Sequence, residues 1–145
     1  MQEKKLVLVI NGPNLNMLGK RPKEHYGTKT LDEIYDLMKD CAPLFDFIFY
    51  QSNYEGDLVT KIQEAVLNSY DAIILNPAAY THTSVAIHDA LEMFTGVKIE
   101  VHLSHVDERE DFRRINYVRD VCDKTFSGGL HMSYVDAVMY LKNKQ

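Results

Sequence analysis

Three groups of residues in this sequence could do chemistry. His82 lies in Asn76-Pro77-Ala78-Ala79-Tyr80-Thr81-His82-Thr83-Ser84, after the apolar run Ala72-Ile73-Ile74-Leu75 and before Val85, Ala86, Ala90 and Leu91. Glu100 and His102 alternate with Ile99, Val101 and Leu103, so the pair shares one face of a strand. Arg21 and Tyr26 sit together in a polar, glycine-bounded segment. This is acid–base equipment. If the strands before His82 and around Glu100 are neighbours, the carboxylate beside His82 orients the ring and raises its pKa, making it a proton donor. A tyrosine acts as a base only if a cation favours its phenolate. Bringing a phenol from about 10 to near neutrality takes about 4 kcal/mol of such preference, and Arg21 is the candidate source. A base that removes a proton next to a carbonyl, opposite an acid that protonates a leaving hydroxyl, eliminates water.

Other chemistries lack their residues. The aliphatic run Leu6–Ile10 is not followed by Gly-x-Gly-x-x-Gly, and Gly19-Lys20 lacks the rest of a phosphate-binding loop. There is no Gly-x-Ser-x-Gly elbow. Outside the Gly19–Gly27 loop no lysine falls at the carboxyl end of a strand, so a Schiff base has no obvious nucleophile. His82, His88, His102 and His105 lie on different elements with few carboxylates nearby, so no metal and no cofactor is expected. A net charge of −5 argues against nucleic acid as a partner but not against a small anion met by local arginines. Cys41 and Cys122 read as buried thiols rather than a disulfide. No run is long enough to span a bilayer and no leader pattern opens the chain, so the expectation is a cytoplasmic protein without membrane contact.

The elements that must position these residues alternate. Leu6–Ile10 is a continuous aliphatic run, the mark of a strand buried on both faces, ending in Asn11-Gly12-Pro13-Asn14. The segment from Gly19 to Gly27 reads as a mobile lid loop. Thr30-Leu31-Asp32-Glu33 reads as a capping box opening a helix with Leu31, Ile34, Tyr35 and Met38 on one face. Strand 2 is expected over Phe45–Tyr50, a second helix from about Asp57, strand 3 over Ala72–Leu75 and strand 4 over Lys98–Ser104. Thr125–Ser127 is a weak fifth strand, and Val135, Val138 and Met139 mark a last helix. One α/β domain over residues 1–145 follows: a flavodoxin-like open parallel five-stranded sheet in the order 2-1-3-4-5 with helices on both faces. Its switch point between strands 1 and 3 would set Asn11 and Asn76 facing one another across a crevice. Arg109 and Arg113, one turn apart if helical, leave Arg109 readable as part of a solvated charged face. His88, His105 and Arg114 read as structural or surface residues.

Taken together, the ordered blocks resemble the type II 3-dehydroquinate dehydratases over nearly the whole chain. They are Asn11-Gly12-Pro13-Asn14-Leu15-Asn16-Met17-Leu18-Gly19, Arg21 with Tyr26-Gly27, Asn76-Pro77 with Tyr80 to Ile87, and Glu100 to Ser104 with Arg109-Glu110 and Phe112-Arg113. The resemblance implies a metal-free anti elimination of water from 3-dehydroquinate through an enolate, giving 3-dehydroshikimate in the shikimate pathway. Tyr26, activated by Arg21, would take the C2 proton. A water held by Asn11 would stabilise the enolate, and His82, supported by Glu100, would protonate the leaving C1 hydroxyl. Asn76 and the backbone of Leu103 and Ser104 would hold the carboxylate. Arg113, His102 and the backbone of Ala78 would complete the substrate site, with Asp89 from a neighbouring subunit. The family usually assembles as a dodecamer of trimers.

The chain departs from the family pattern at several points. Arg21-Pro22-Lys23 stands for Arg-Glu-Pro, and Ala78 for a glycine. His88 stands for an arginine and His105 for an asparagine, while Gly128-Gly129-Leu130 and Ser133 shift the glycine spacing before Tyr134. Two other readings are a catalytically weakened homologue and a flavodoxin-type module binding flavin or a small ligand. The Pro13-Asn14 turn speaks against flavin, because it lacks a Ser/Thr-rich phosphate loop.

Overall fold

The computed structural model describes residues 4–144. Five strands, β1 (Leu6–Asn11), β2 (Asp46–Gln51), β3 (Ala72–Asn76), β4 (Val97–His102) and β5 (Lys124–Ser127), form one parallel sheet in the order β2-β1-β3-β4-β5. This is the expected architecture, with boundaries shifted by a few residues. Helices α1 (Lys23–Tyr26), α2 (Leu31–Cys41), α3 (Glu55–Leu67), α4 (Val85–Glu92) and α5 (Met132–Asn143) complete it. None of the helices in the described residues is long and apolar enough to cross a membrane.

Strand alternation sorts the core into two layers. Val7, Val9, Ile74, Ile99 and Val101 pack with Leu31, Ile34 and Met38 of α2 and with Ala137, Val138 and Leu141 of α5. Leu8, Ile10, Ile73 and Leu75 pack with Leu58 and Ile62 of α3 and Ile87 and Leu91 of α4. The parity also assigns the polar strand residues. Asn11 and Asn76 fall on the α2/α5 face, whereas Glu100 and His102 fall on the opposite face.

Local signals fix the entries. The capping box at α2 is complete: Thr30 Oγ1 accepts from the Glu33 backbone at 3.2 Å, and Glu33 Oε1 accepts from the Thr30 backbone at 3.0 Å. The Gly19–Gly27 segment is not an open loop. It turns through positive φ at both glycines and winds one turn of helix, which buries Tyr26. The charged segment after β4 runs through short 3-10 turns at Val106–Glu108, Asp111–Arg114 and Arg119–Val121. The two cysteines are unpaired, but only half-buried rather than buried.

Two departures from the family pattern have backbone consequences. Ala78 lies at φ 54° and Leu130 at φ 53°, both left-handed, a conformation that costs a side-chain-bearing residue about 1 kcal/mol or more. Gly12 is closely confined. Its N–H donates to the Asn76 carbonyl at 2.8 Å, and a Cβ placed there would come within 2.3 Å of the Pro77 carbonyl oxygen. Gly12→Ala is therefore expected to destabilise the protein by about 2–3 kcal/mol through this backbone clash. A thermal melt within 1 °C or so of the parent would contradict the close approach.

Candidate active site

In an open parallel sheet, ligands bind beyond the carboxyl ends of the strands where the strand order reverses. β1 and β3 are neighbours here, while the chain runs outward from them to β2 on one side and β4 on the other. A cleft of about 550 Å³, counting its solvent-filled mouth, opens at that point. Arg21, Tyr26, Asn76, Ala78, His82, His102, Leu103, Ser104, Arg109 and Arg113 all contribute to its wall. Three arginines in one cleft, on a chain of net charge −5, mark it for an anion.

Tyr26 stands at one wall. Its hydroxyl accepts from Arg21 Nη2 at 2.8 Å and from Arg109 Nη1 at 2.8 Å. The Arg21 guanidinium also lies over the ring, 3.6 Å from its centroid. Negative charge on this oxygen would be met by two cationic donors at once. The expected Arg21–Tyr26 pair is present, and a second arginine joins it. The reading of Arg109 as a solvated charge is corrected: it is largely buried, and it is the element the sequence reading missed. Its spacing to Arg113 presupposed a helix, whereas Arg109 caps one short 3-10 turn and Arg113 lies in the next. Arg113 forms an ion pair with Glu110 at the cleft mouth.

Glu100 is fully buried. Its Oε2 accepts from His102 Nε2 at 2.6 Å and Asn116 Nδ2 at 2.6 Å, and its Oε1 from Arg119 Nε at 3.1 Å and Thr125 Oγ1 at 2.8 Å. Burial alone would push this carboxyl up. The donors, His102 first and then Asn116 and Thr125, outweigh burial and hold it at about 2. Because Glu100 only accepts, His102 must carry hydrogen on Nε2, and the same residue lines the cleft.

The expectation that Glu100 supports His82 is corrected by this geometry. His82 Nδ1 instead donates to the Ile115 carbonyl at 2.6 Å. Burial lowers the His82 pKa, chiefly against that hydrogen bond, so the ring is neutral near pH 7 and presents Nε2 as an acceptor. The carboxylate was expected to raise it; its charge does act upward, but burial prevails.

On the other face of the sheet, Asn11 and Asn76 are register partners on adjacent strands, not residues facing one another across a gap. Both meet the Tyr134 hydroxyl, which donates to Asn11 Oδ1 at 2.5 Å and accepts from Asn76 Nδ2 at 3.0 Å. Asn11 Nδ2 donates in turn to the Tyr35 hydroxyl at 3.1 Å. Asn11 is fully buried and absent from the cleft wall, so a water-holding role for it is not carried forward. Ala78 N–H donates to Asn76 Oδ1 at 3.1 Å, so this backbone group is committed to Asn76 and not available to substrate. Leu103 and Ser104 lie at the end of β4 on the wall, as expected. Asp89 is exposed on α4 beside His88 and outside the cleft of its own chain. Among the described residues, His88, Asp89 and Glu92 are the one group whose spacing could hold a metal; it is exposed and shares no residue with the cleft.

A flavodoxin-like parallel sheet with three arginines in the cleft at its switch point defines an α/β protein whose cleft suits a small anion. The sequence model of class II dehydroquinases matches residues 5–142. A curated relative from Bartonella henselae named 3-dehydroquinate dehydratase is 54% identical over 125 residues, which cover 85% of this chain and 84% of the relative. A type II dehydroquinase structure from Butyrivibrio crossotus superposes with a TM-score of 0.91 at 43% identity, covering 95% of this chain and 97% of that one. One from Propionibacterium acnes gives 0.93 at 32% identity, covering 99% and 100%. The chain belongs to the class II dehydroquinase family.

Because Glu100 is held ionised, its stabilisation is present above the unfolded carboxyl value of about 4.3 and is lost as pH falls toward about 2. Glu100→Gln is expected to lower stability near pH 7 by about 3 kcal/mol, with that deficit shrinking as pH drops below about 4. Denaturant melts across pH check this, and a deficit independent of pH would show that the carboxylate charge is not what the donors hold.

Proposed function

We propose that the protein is a type II 3-dehydroquinate dehydratase, a hydro-lyase that converts 3-dehydroquinate to 3-dehydroshikimate by proton transfer alone. The observation that carries this reading is the opposition of Tyr26, gripped by two arginines, to His102, backed by the buried Glu100, in one cleft. Family membership and the relatives' names support the substrate.

Tyr26, as phenolate, takes the proton from C2. The C–H electrons form the C2=C3 bond of an enolate, whose charge the surrounding arginines favour. The enolate then collapses: the C3 carbonyl re-forms, the C1=C2 bond forms and the C1 hydroxyl leaves as water with a proton from the acid. We assign that acid to His102 rather than His82. An acid must hand over a proton with its charge balanced nearby, and His102 lines the cleft with the buried Glu100 carboxylate hydrogen-bonded to its ring, whereas His82 bonds only a neutral carbonyl. Neutral His82 is placed instead to accept from a substrate hydroxyl through Nε2. Asn76 and the backbone of Leu103 and Ser104 receive the carboxylate, and Arg113 meets the ring hydroxyls. No step requires a metal or cofactor.

In this reading the protein works in the cytoplasm, a reducing compartment that suits its two unpaired thiols, and places the reaction in the shikimate pathway. It assembles as a dodecamer of trimers, which would let the exposed Asp89 of one subunit complete the cleft of the next.

Purified protein given 3-dehydroquinate should raise the absorbance of the conjugated enone; a folded protein with no rise contradicts the enzyme reading. Tyr26→Phe should lower kcat by about 10³-fold or more while leaving substrate binding intact. His102→Asn should lower kcat by about 10²-fold or more, whereas His82→Asn should act mainly on KM. The reverse pattern for the two histidines would return the acid role to His82.

A further inference from the structure

Tyr134 lies on α5, outside the groups that line the cleft, and is fully buried. Its hydroxyl joins two side chains from adjacent strands in one directed chain of hydrogen bonds. Ala78 N–H donates to Asn76 Oδ1, Asn76 Nδ2 to Tyr134 Oη, Tyr134 Oη to Asn11 Oδ1, and Asn11 Nδ2 to Tyr35 Oη. The direction is forced. A backbone N–H can only donate, so Asn76 must turn its oxygen to Ala78 and its NH₂ the other way. A phenol has a single hydrogen; with that spent on Asn11, Tyr134 can only accept from Asn76. Burial pushes the Tyr134 phenol up, so it remains protonated at every pH at which the protein would be assayed.

Asn76 is also part of the cleft wall. One Nδ2 hydrogen goes to Tyr134, which leaves the other as the donor this amide can offer a ligand. A flipped amide would set its NH₂ against the Ala78 N–H and its oxygen against a phenol oxygen whose hydrogen is already committed. Both contacts would lose a hydrogen bond inside the protein, where an unmade bond is expensive.

We propose that Tyr134 is a positioning residue. By accepting from Asn76 while donating to Asn11, it holds the Asn76 amide in the orientation that keeps its remaining N–H donor available to the substrate. The site is thereby tuned to a carboxylate or other oxygen acceptor at that point, with no reorientation left to be made on binding. This rests on the dehydratase reading for the identity of the ligand, but the locked amide itself does not.

Two measurements test it. In the wild-type protein without substrate, the two Asn76 Nδ2 hydrogens should exchange with solvent at different rates, the one bound to Tyr134 being the slower by about tenfold or more. Equal rates overturn the lock, whether or not 3-dehydroquinate is turned over. In kinetics, Tyr134→Phe should raise KM by about tenfold, with kcat changed far less. In an Asn76→Ala background the same change should add little, because the residue through which it acts is gone. Additive effects on KM in the double variant, or a fall in kcat with KM unchanged, would contradict the proposal. If Tyr134→Phe does not fold, the exchange measurement alone decides. If wild type binds and turns over nothing while the exchange rates differ as expected, the dehydratase reading fails and the positioning role stands.

Discussion

A carboxylate without access to water lies at the carboxyl end of the central sheet, and the site is arranged around the need to satisfy it. Isolated, the Glu100 charge would be expensive to bury. It is tolerated because four donors from three parts of the chain converge on its two oxygens: His102 from its own strand, Asn116 and Arg119 from the segment beyond, and Thr125 from β5. This draws the irregular chain between β4 and β5 against the sheet. That same chain delivers Ile115 to His82, and Arg109 to Tyr26. One electrostatic requirement thus couples the folding of the segment to the placement of groups at both ends of the cleft.

The opposite face meets its own requirement differently. Asn11 and Asn76 end neighbouring strands and are buried, with no charge involved. Two phenols, one from α2 and one from α5, satisfy them. One face of the sheet is thus held by a buried charge and the other by neutral hydrogen bonds. The arginines of the cleft make it suitable for an anion even though the chain as a whole is acidic.

Much of this was legible before any coordinates. The aliphatic run at β1 is buried on both faces because helices cover both. The Thr30–Glu33 capping box begins a helix because its two reciprocal bonds satisfy donors that nothing else would. Strand parity had already put Glu100 and His102 on one face. Residues two apart on a strand are close enough for long side chains to touch, so the alternation was itself evidence that Glu100 serves His102 rather than His82. The reading of the carboxylate as a partner of His82 rested on the strands being neighbours; the hydrogen bonds instead join Glu100 to His102 and His82 to the Ile115 carbonyl. What could not be read was the contribution of Arg109, Asn116 and Arg119. They lie in or between short 3-10 turns with no hydrophobic period, so Asn116 and Arg119 take their direction from the buried charge they meet and Arg109 from Tyr26, not from any local pattern. Ala78 was legible as an awkward substitution at a tight turn; its left-handed backbone bears that out.

The central claim is that water is eliminated by proton transfer between side chains, without a covalent imine to lysine. Incubating the protein with 3-dehydroquinate and borohydride, then recording product and intact mass, tests it most directly. Continued formation of 3-dehydroshikimate with an unmodified protein mass is the result the account predicts. Inactivation accompanied by a protein mass raised by one reduced substrate adduct would contradict it.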